Sequence, residues 1–145
     1  DTAFIIPNTD TTLTIPSTSE RVITVGAYDS ANISTVGFSG RGYTRATEYI
    51  KPDLVAPGVN ILTTTVGESI TSFTGTSAAA PFVAGSAALL MEWGIVDRND
   101  IFLYGERLKA FLCNGAIRDN SREYPNREWG YGRLCLKNTL DLLKK

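Results

Sequence analysis

Gly75 to Gly85 reads GTSAAAPFVAG, and it heads an almost wholly apolar run that continues to Trp93. Proline is tolerated in the first turn of a helix and breaks its interior, so Pro81 sets a helix start close upstream, at Thr76 or Ser77. Ser77 then sits at the positive end of the helix dipole. By itself, Gly-Thr-Ser ahead of an alanine-rich helix favours an N-cap. Three features favour a nucleophile instead. Gly75 allows a sharp strand-to-helix turn. Ala78, Ala79 and Ala80 leave room around the hydroxyl. The first backbone N–H groups of a helix are free donors for an oxyanion formed beside it.

The rest of the composition narrows the chemistry. A chain of 145 residues with 43% hydrophobic and 20% charged content can bury a core as one soluble globular domain. The net charge is -1, and the basic residues are scattered singly among acidic and aromatic ones, which excludes a nucleic-acid stripe. With no histidine, the chain lacks the usual general base and the commonest transition-metal ligand. Cys113 and Cys135 have no metal-type spacing and read as ordinary thiols. The longest apolar run, Ala78 to Trp93, is interrupted by Pro81, Gly85 and Ser86, which predicts a buried helix and no membrane span. No Asp-rich loop suggests calcium, and no cofactor or metal is expected.

Outward from the central run, strands and turns precede it and helices follow it. DTAFIIPNTDTTLTIPST is rich in turn formers. RVITVGAYDS predicts a strand at Arg21 to Tyr28, covered on both faces. A glycine-rich loop leads to a short strand around Asp53 to Ala56 and a turn at Pro57 and Gly58. The Thr-rich segment beyond it turns at Gly67 and Glu68, and SITSFTGTS returns as a hairpin partner. Asn99 or Asp100 is placed to cap a second helix through IFLYGERLKAFLCNGA, and KNTLDLLKK predicts a closing helix. The fold class is α/β, with a mainly parallel sheet, packed helices and a β-hairpin ahead of the Ser77 helix.

GTSAAAPFVAGSAALL resembles the nucleophile motif of the subtilisin-like serine proteases (subtilases, peptidase S8). RVITVGAYDS, FSGRG, KPDLVAPGVNI and WGYGRLCLKNTL resemble further segments of that family in the same order, so the likeness spans nearly the whole chain. TTLTIPSTSERVITVGAYD, LLMEWGI, EYP and WGYGRLC are most similar to clostridial Csp-type subtilases.

The resemblance implies that Ser77 is the nucleophile, that its backbone N–H and the Thr76 hydroxyl serve the oxyanion, and that Phe73 and Thr74 border the leaving-group side of the cleft. Phe82 stands where the best-known subtilisins have a non-catalytic histidine, and Ala78 where many have methionine, which implies a roomier wall. The family's aspartate, histidine and oxyanion-hole asparagine belong to the half of the domain that precedes these segments; Asp29 is read as a strand-end residue. Residues 1–145 are therefore expected to be the C-terminal part of a catalytic domain, inactive alone because serine needs an adjacent base.

In the complete protein the implied reaction is hydrolysis of a protein or peptide substrate through an acyl-enzyme. The alternatives are a sedolisin-type protease, which uses a glutamate base, and a non-catalytic Csp-type scaffold that acts by binding partners. Compartment stays open between secreted and cytoplasmic or spore-associated. Separated from its preceding half, the chain is expected to expose a sheet edge near Val22, Ile23, Val25, Leu54 and Val55 and to self-associate into a homo-oligomer.

Overall fold

A computed structural model describes residues 6–67 and 69–144; the first five residues of the turn-rich leader and Glu68 of the expected hairpin turn lie outside that range. The order of elements is β1 (Val25–Asp29), β2 (Ser34–Thr35), β3 (Leu54–Pro57), β4 (Ile61–Thr65), β5 (Ser69–Phe73), α1 (Thr76–Met91), a π turn (Glu92–Val96), α2 (Gly105–Asn114) and α3 (Leu136–Leu143). The fold is α/β, as the sequence predicts.

The central sheet is mixed. β1 and β3 are parallel, with Val25 opposite Leu54 and Ala27 opposite Ala56. β2 adds an antiparallel edge, with Tyr28 opposite Thr35. β4 and β5 form the expected hairpin as a separate two-stranded sheet, Ile61 opposite Phe73 and Thr65 opposite Ser69. Asp29 ends β1, where its carboxylate accepts the Ala31 amide at 2.9 Å.

The far edge of β3 is not open. The Leu134 amide donates to the Val55 carbonyl at 2.9 Å, and the Val55 amide to that of Gly132 at 3.1 Å. Segment 132–134 thus covers the β3 side of the sheet, and Leu54 and Val55 are buried; on the β1 side β2 pairs with Tyr28 and Asp29 alone, so on that side no strand pairs beside Val25 among the described residues. Exposed apolar surface lies elsewhere: Leu62, Val66 and Ile70 on the hairpin, and Phe82, Leu89 and Val96 along the long helix.

That helix also departs from expectation. It starts at Thr76, but Pro81 falls inside it. Lacking an N–H, Pro81 cannot donate to the carbonyl four residues back, which is that of Ser77. Neither Pro81, Gly85 nor Ser86 interrupts it. With the π turn it runs from Thr76 to Val96, 21 residues with mean hydropathy 1.5, long and apolar enough to cross a membrane by length and composition. One side is seated on the sheet: Ala79, Val83 and Leu90 join Ala27, Leu54 and Ala56 in the core, which continues through Leu103, Leu108 and Leu112.

The second helix begins at Gly105, later than predicted. Asn99 caps the preceding helix instead, its Nδ2 donating to the Trp93 carbonyl at 2.7 Å. Asp100 accepts the Phe102 amide at 3.1 Å and pairs with Arg107 at 2.7 Å. These turns lower Leu103 into the core, where it packs so closely that a Cβ on Gly94 would lie 2.9 Å from it. Gly105, with φ 55, then redirects the chain.

Candidate active site

Ser77 is held by a short relay of backbone contacts that begins in the sheet. The Gly58 amide donates to the Tyr28 carbonyl at 3.0 Å, and the Gly58 carbonyl accepts the Gly75 amide at 2.8 Å. The Asn60 amide donates to Thr74 Oγ1 at 2.9 Å. The turn after β3 therefore fastens both residues ahead of Thr76. Only glycine fits at position 58, since a Cβ there would lie 2.6 Å from Ala27 Cβ and 2.9 Å from the Gly75 carbonyl.

The cap of α1 is Gly75, with no side-chain cap hydrogen bond, and Ser77 is the second residue of the helix. A serine that caps must precede the first turn and turn its hydroxyl back to a later amide. Ser77 does neither; it is exposed. Ala78 donates back to the Gly75 carbonyl at 3.0 Å, while the amides of Thr76 and Ser77 belong to the first turn, which has no intrahelical acceptors.

Ser77 opens onto a groove of about 350 Å³ between the hairpin and the first turns of α1. Ile61, Leu62, Phe73, Ala78, Pro81 and Phe82 surround it. Among the described residues that line it none is ionisable, so none of them can take the serine proton. Phe73, half-exposed at the end of β5, shares the groove with Ser77. Thr74 does not line it; its hydroxyl is engaged by Asn60. The Thr76 side lines a different cavity of about 530 Å³, with Thr14, Ser17, Thr24, Phe38 and Pro52 among its walls. Thr76 and Ser77, adjacent at the helix start, thus line two different cavities.

One charged cluster had no sequence signal. Lys51 Nζ lies 2.7 Å from Asp53 Oδ2 and Lys109 Nζ 2.8 Å from Asp53 Oδ1. Burial lowers the Lys51 pKa despite the carboxylate beside it. Burial also works against Lys109, but the hydrogen bond and charge of Asp53 outweigh it and hold its pKa above the ordinary lysine value. The Cys113 thiol is pushed up to about 12, by burial first and then by the Asp53 charge. Both cysteines are free.

An α/β fold with an exposed serine at a strand-to-helix turn defines a class in which nucleophilic hydrolases are common. Comparison with known proteins gives the family. The model of the subtilase family, peptidase S8, matches residues 5–132. The serine protease AprX of Bacillus subtilis is 32% identical over 149 residues, covering 89% of this chain and 32% of AprX. The subtilisin-like protease SBT6.1 of Arabidopsis thaliana is 34% identical, covering 92% of this chain and 13% of its own. The structure of the Clostridium perfringens CspB protease superposes with a TM-score of 0.95 at 50% identity, covering 99% of this chain and 31% of CspB. The chain belongs to the subtilase family of serine proteases, and it spans about a third or less of the length of these relatives.

Proposed function

We propose that residues 1–145 are the C-terminal part of a subtilisin-like catalytic domain in which Ser77 is the nucleophile for peptide-bond hydrolysis. The observation that carries this reading is the placement of Ser77: exposed, in the first turn of α1, beside free amides, and outside the cap position that would otherwise explain it. Attack by Oγ on a substrate carbonyl would create an oxyanion, which the Ser77 N–H is placed to receive. Thr76 contributes from the side of the larger cavity. Phe73 borders the leaving group, and Thr74 fixes that border through Asn60.

The proton must go to a base that the described residues of the groove wall do not include. In this reading a histidine, oriented by an aspartate, comes from the preceding half of the domain. That half also explains the open face of α1, a helix of mean hydropathy 1.5 with 22% of its most apolar stretch buried. The same half would cover Phe82 and Leu89. The substrate is a protein or peptide, since that is what the family's proteases cut.

The test is Ser77→Ala in the polypeptide that carries this segment behind its preceding half. Loss of all proteolysis, self-processing included, with an unchanged fold supports the assignment. Proteolysis that survives the substitution refutes it.

A further inference from the structure

The Ser77 site makes no use of Lys51, Asp53 and Lys109, yet Lys51 and Asp53 are among the most buried residues of the chain, 1% and 2% exposed. Their remaining polar groups converge on one stretch of main chain. The Thr24 amide donates to Asp53 Oδ2 at 2.7 Å. Lys51 donates to the Val22 carbonyl at 3.0 Å. Lys109, arriving from α2, donates to the carbonyls of Glu20 at 2.7 Å and Val22 at 3.2 Å. The Thr24 hydroxyl carries the hold back to the Ser17 carbonyl at 2.6 Å.

That stretch begins and ends on the second cavity. Ser17 and Thr24 line it, as does Pro52, which sits between the two clamping residues, and Thr76 closes it next to the nucleophile. Two ammonium groups and one carboxylate in an interior are costly to desolvate, and well-packed apolar residues often stabilise a fold as well or better. Apolar residues could not hold the Thr24 amide and the carbonyls of Glu20 and Val22 at fixed points, because only polar groups have directional bonds.

We propose that Lys51, Asp53 and Lys109 are positioning residues that fix the 17–24 stretch at the Thr76 cavity against the peptide held there for attack by Ser77. The proposal rests on the protease reading above. A peptide in this cavity meets Ser17 and Thr24, and the main chain between them is tied from three sides, one of them α2. Removing Lys109 leaves Asp53 paired with Lys51 but frees the carbonyl of Glu20. The cavity then loses its preset shape while the nucleophile, on a different element, keeps its own.

The experiment uses the whole protein, with Lys109→Met, Lys109→Arg and Thr24→Val, the last keeping the ion cluster and removing only the bond to Ser17. Peptide cleavage gives kcat and KM, a small fluorophosphonate reports Ser77 independently of the cavity, and thermal melting reports the fold. The expected result is a KM raised roughly tenfold in Lys109→Met and Thr24→Val, with kcat and labelling rate within about twofold and KM largely restored in Lys109→Arg. An unchanged KM in the two disabling variants, or a parallel fall of kcat, labelling and melting temperature, overturns the proposal and leaves the protease reading standing. A wild-type protein that neither labels nor cleaves overturns both.

Discussion

The Gly58 carbonyl accepts the Gly75 amide at 2.8 Å, and this bond ties the residue before the helix to the end of β3. Strand, turn and helix start are thereby one unit, and the orientation of Ser77 follows from the parallel pairing of β1 and β3.

Gly58→Ala should break that unit. The added Cβ would meet Ala27 and the Gly75 carbonyl at distances no side chain occupies, so the 74–76 segment must move. A stability loss of roughly 1–3 kcal/mol is expected, read as a lowered denaturant midpoint. In the whole protein, kcat/KM should fall by at least about tenfold, since a small displacement of the nucleophile is costly. A variant with unchanged midpoint and activity would show that the relay does not position Ser77.

Ser77→Ala should leave stability within about 0.5 kcal/mol of the wild type, as for a surface change that breaks no cap. Were the hydroxyl a cap after all, the loss would be roughly 1 kcal/mol. Equilibrium denaturation of the two chains separates the outcomes.

Cys113 should impose a pH dependence. Its folded-state pKa of about 12 lies above the ordinary 9.0, so the folded state keeps its proton where the unfolded thiol loses it. The Cys113 contribution is complete below about pH 9 and is lost as pH rises toward about 12. Lys109, raised, adds to the loss above the ordinary lysine value, while Lys51, lowered, opposes it. Stability measured across that range should decline less steeply in Cys113→Ala than in the wild type. Equal slopes would contradict the buried thiol. Alkylation below pH 9 should modify Cys135 well before Cys113.

The isolated 145 residues should self-associate, and exposed apolar side chains add to the part-open β1 edge that the sequence suggests. With β3 covered by segment 132–134, the exposed apolar side chains are those of α1 and the hairpin, Phe82, Leu89, Leu62 and Ile70 among them. Sedimentation at low micromolar concentration should show species larger than a monomer, and Leu89→Lys should shift them toward monomer. A monodisperse, highly stable monomer would argue for a self-sufficient domain.

Much of this architecture is legible in the sequence because its causes are local. Pro81 and the alanines locate the start of α1, the Thr-rich segments give the hairpin, and the β-branched run places β1, although the strand begins at Val25 and not at Arg21. What failed depends on distant partners. Lys109 lies 56 residues beyond Asp53 in the chain, and nothing near either announces the pair. Segment 132–134 closes the β3 side from the far end of the sequence, which nothing near Leu54 and Val55 announces. Asn99 and Asp100 have the chemistry of caps, but the need to bury Leu103 assigns them to the end of one helix and a turn, and delays the next helix to Gly105. Thr76 and Ser77 are neighbours in sequence, yet they line separate cavities.

Under the proposed function, Ser77 is a nucleophile whose base comes from outside these 145 residues. The most direct measurement is labelling with a fluorophosphonate at neutral pH, with the modified peptide located by mass spectrometry. Stoichiometric modification of Ser77 is expected in the whole protein and none in the isolated 145 residues, where no described residue of the groove wall can take the proton. Stoichiometric labelling of Ser77 in the isolated chain, or none in the whole protein, would contradict that function.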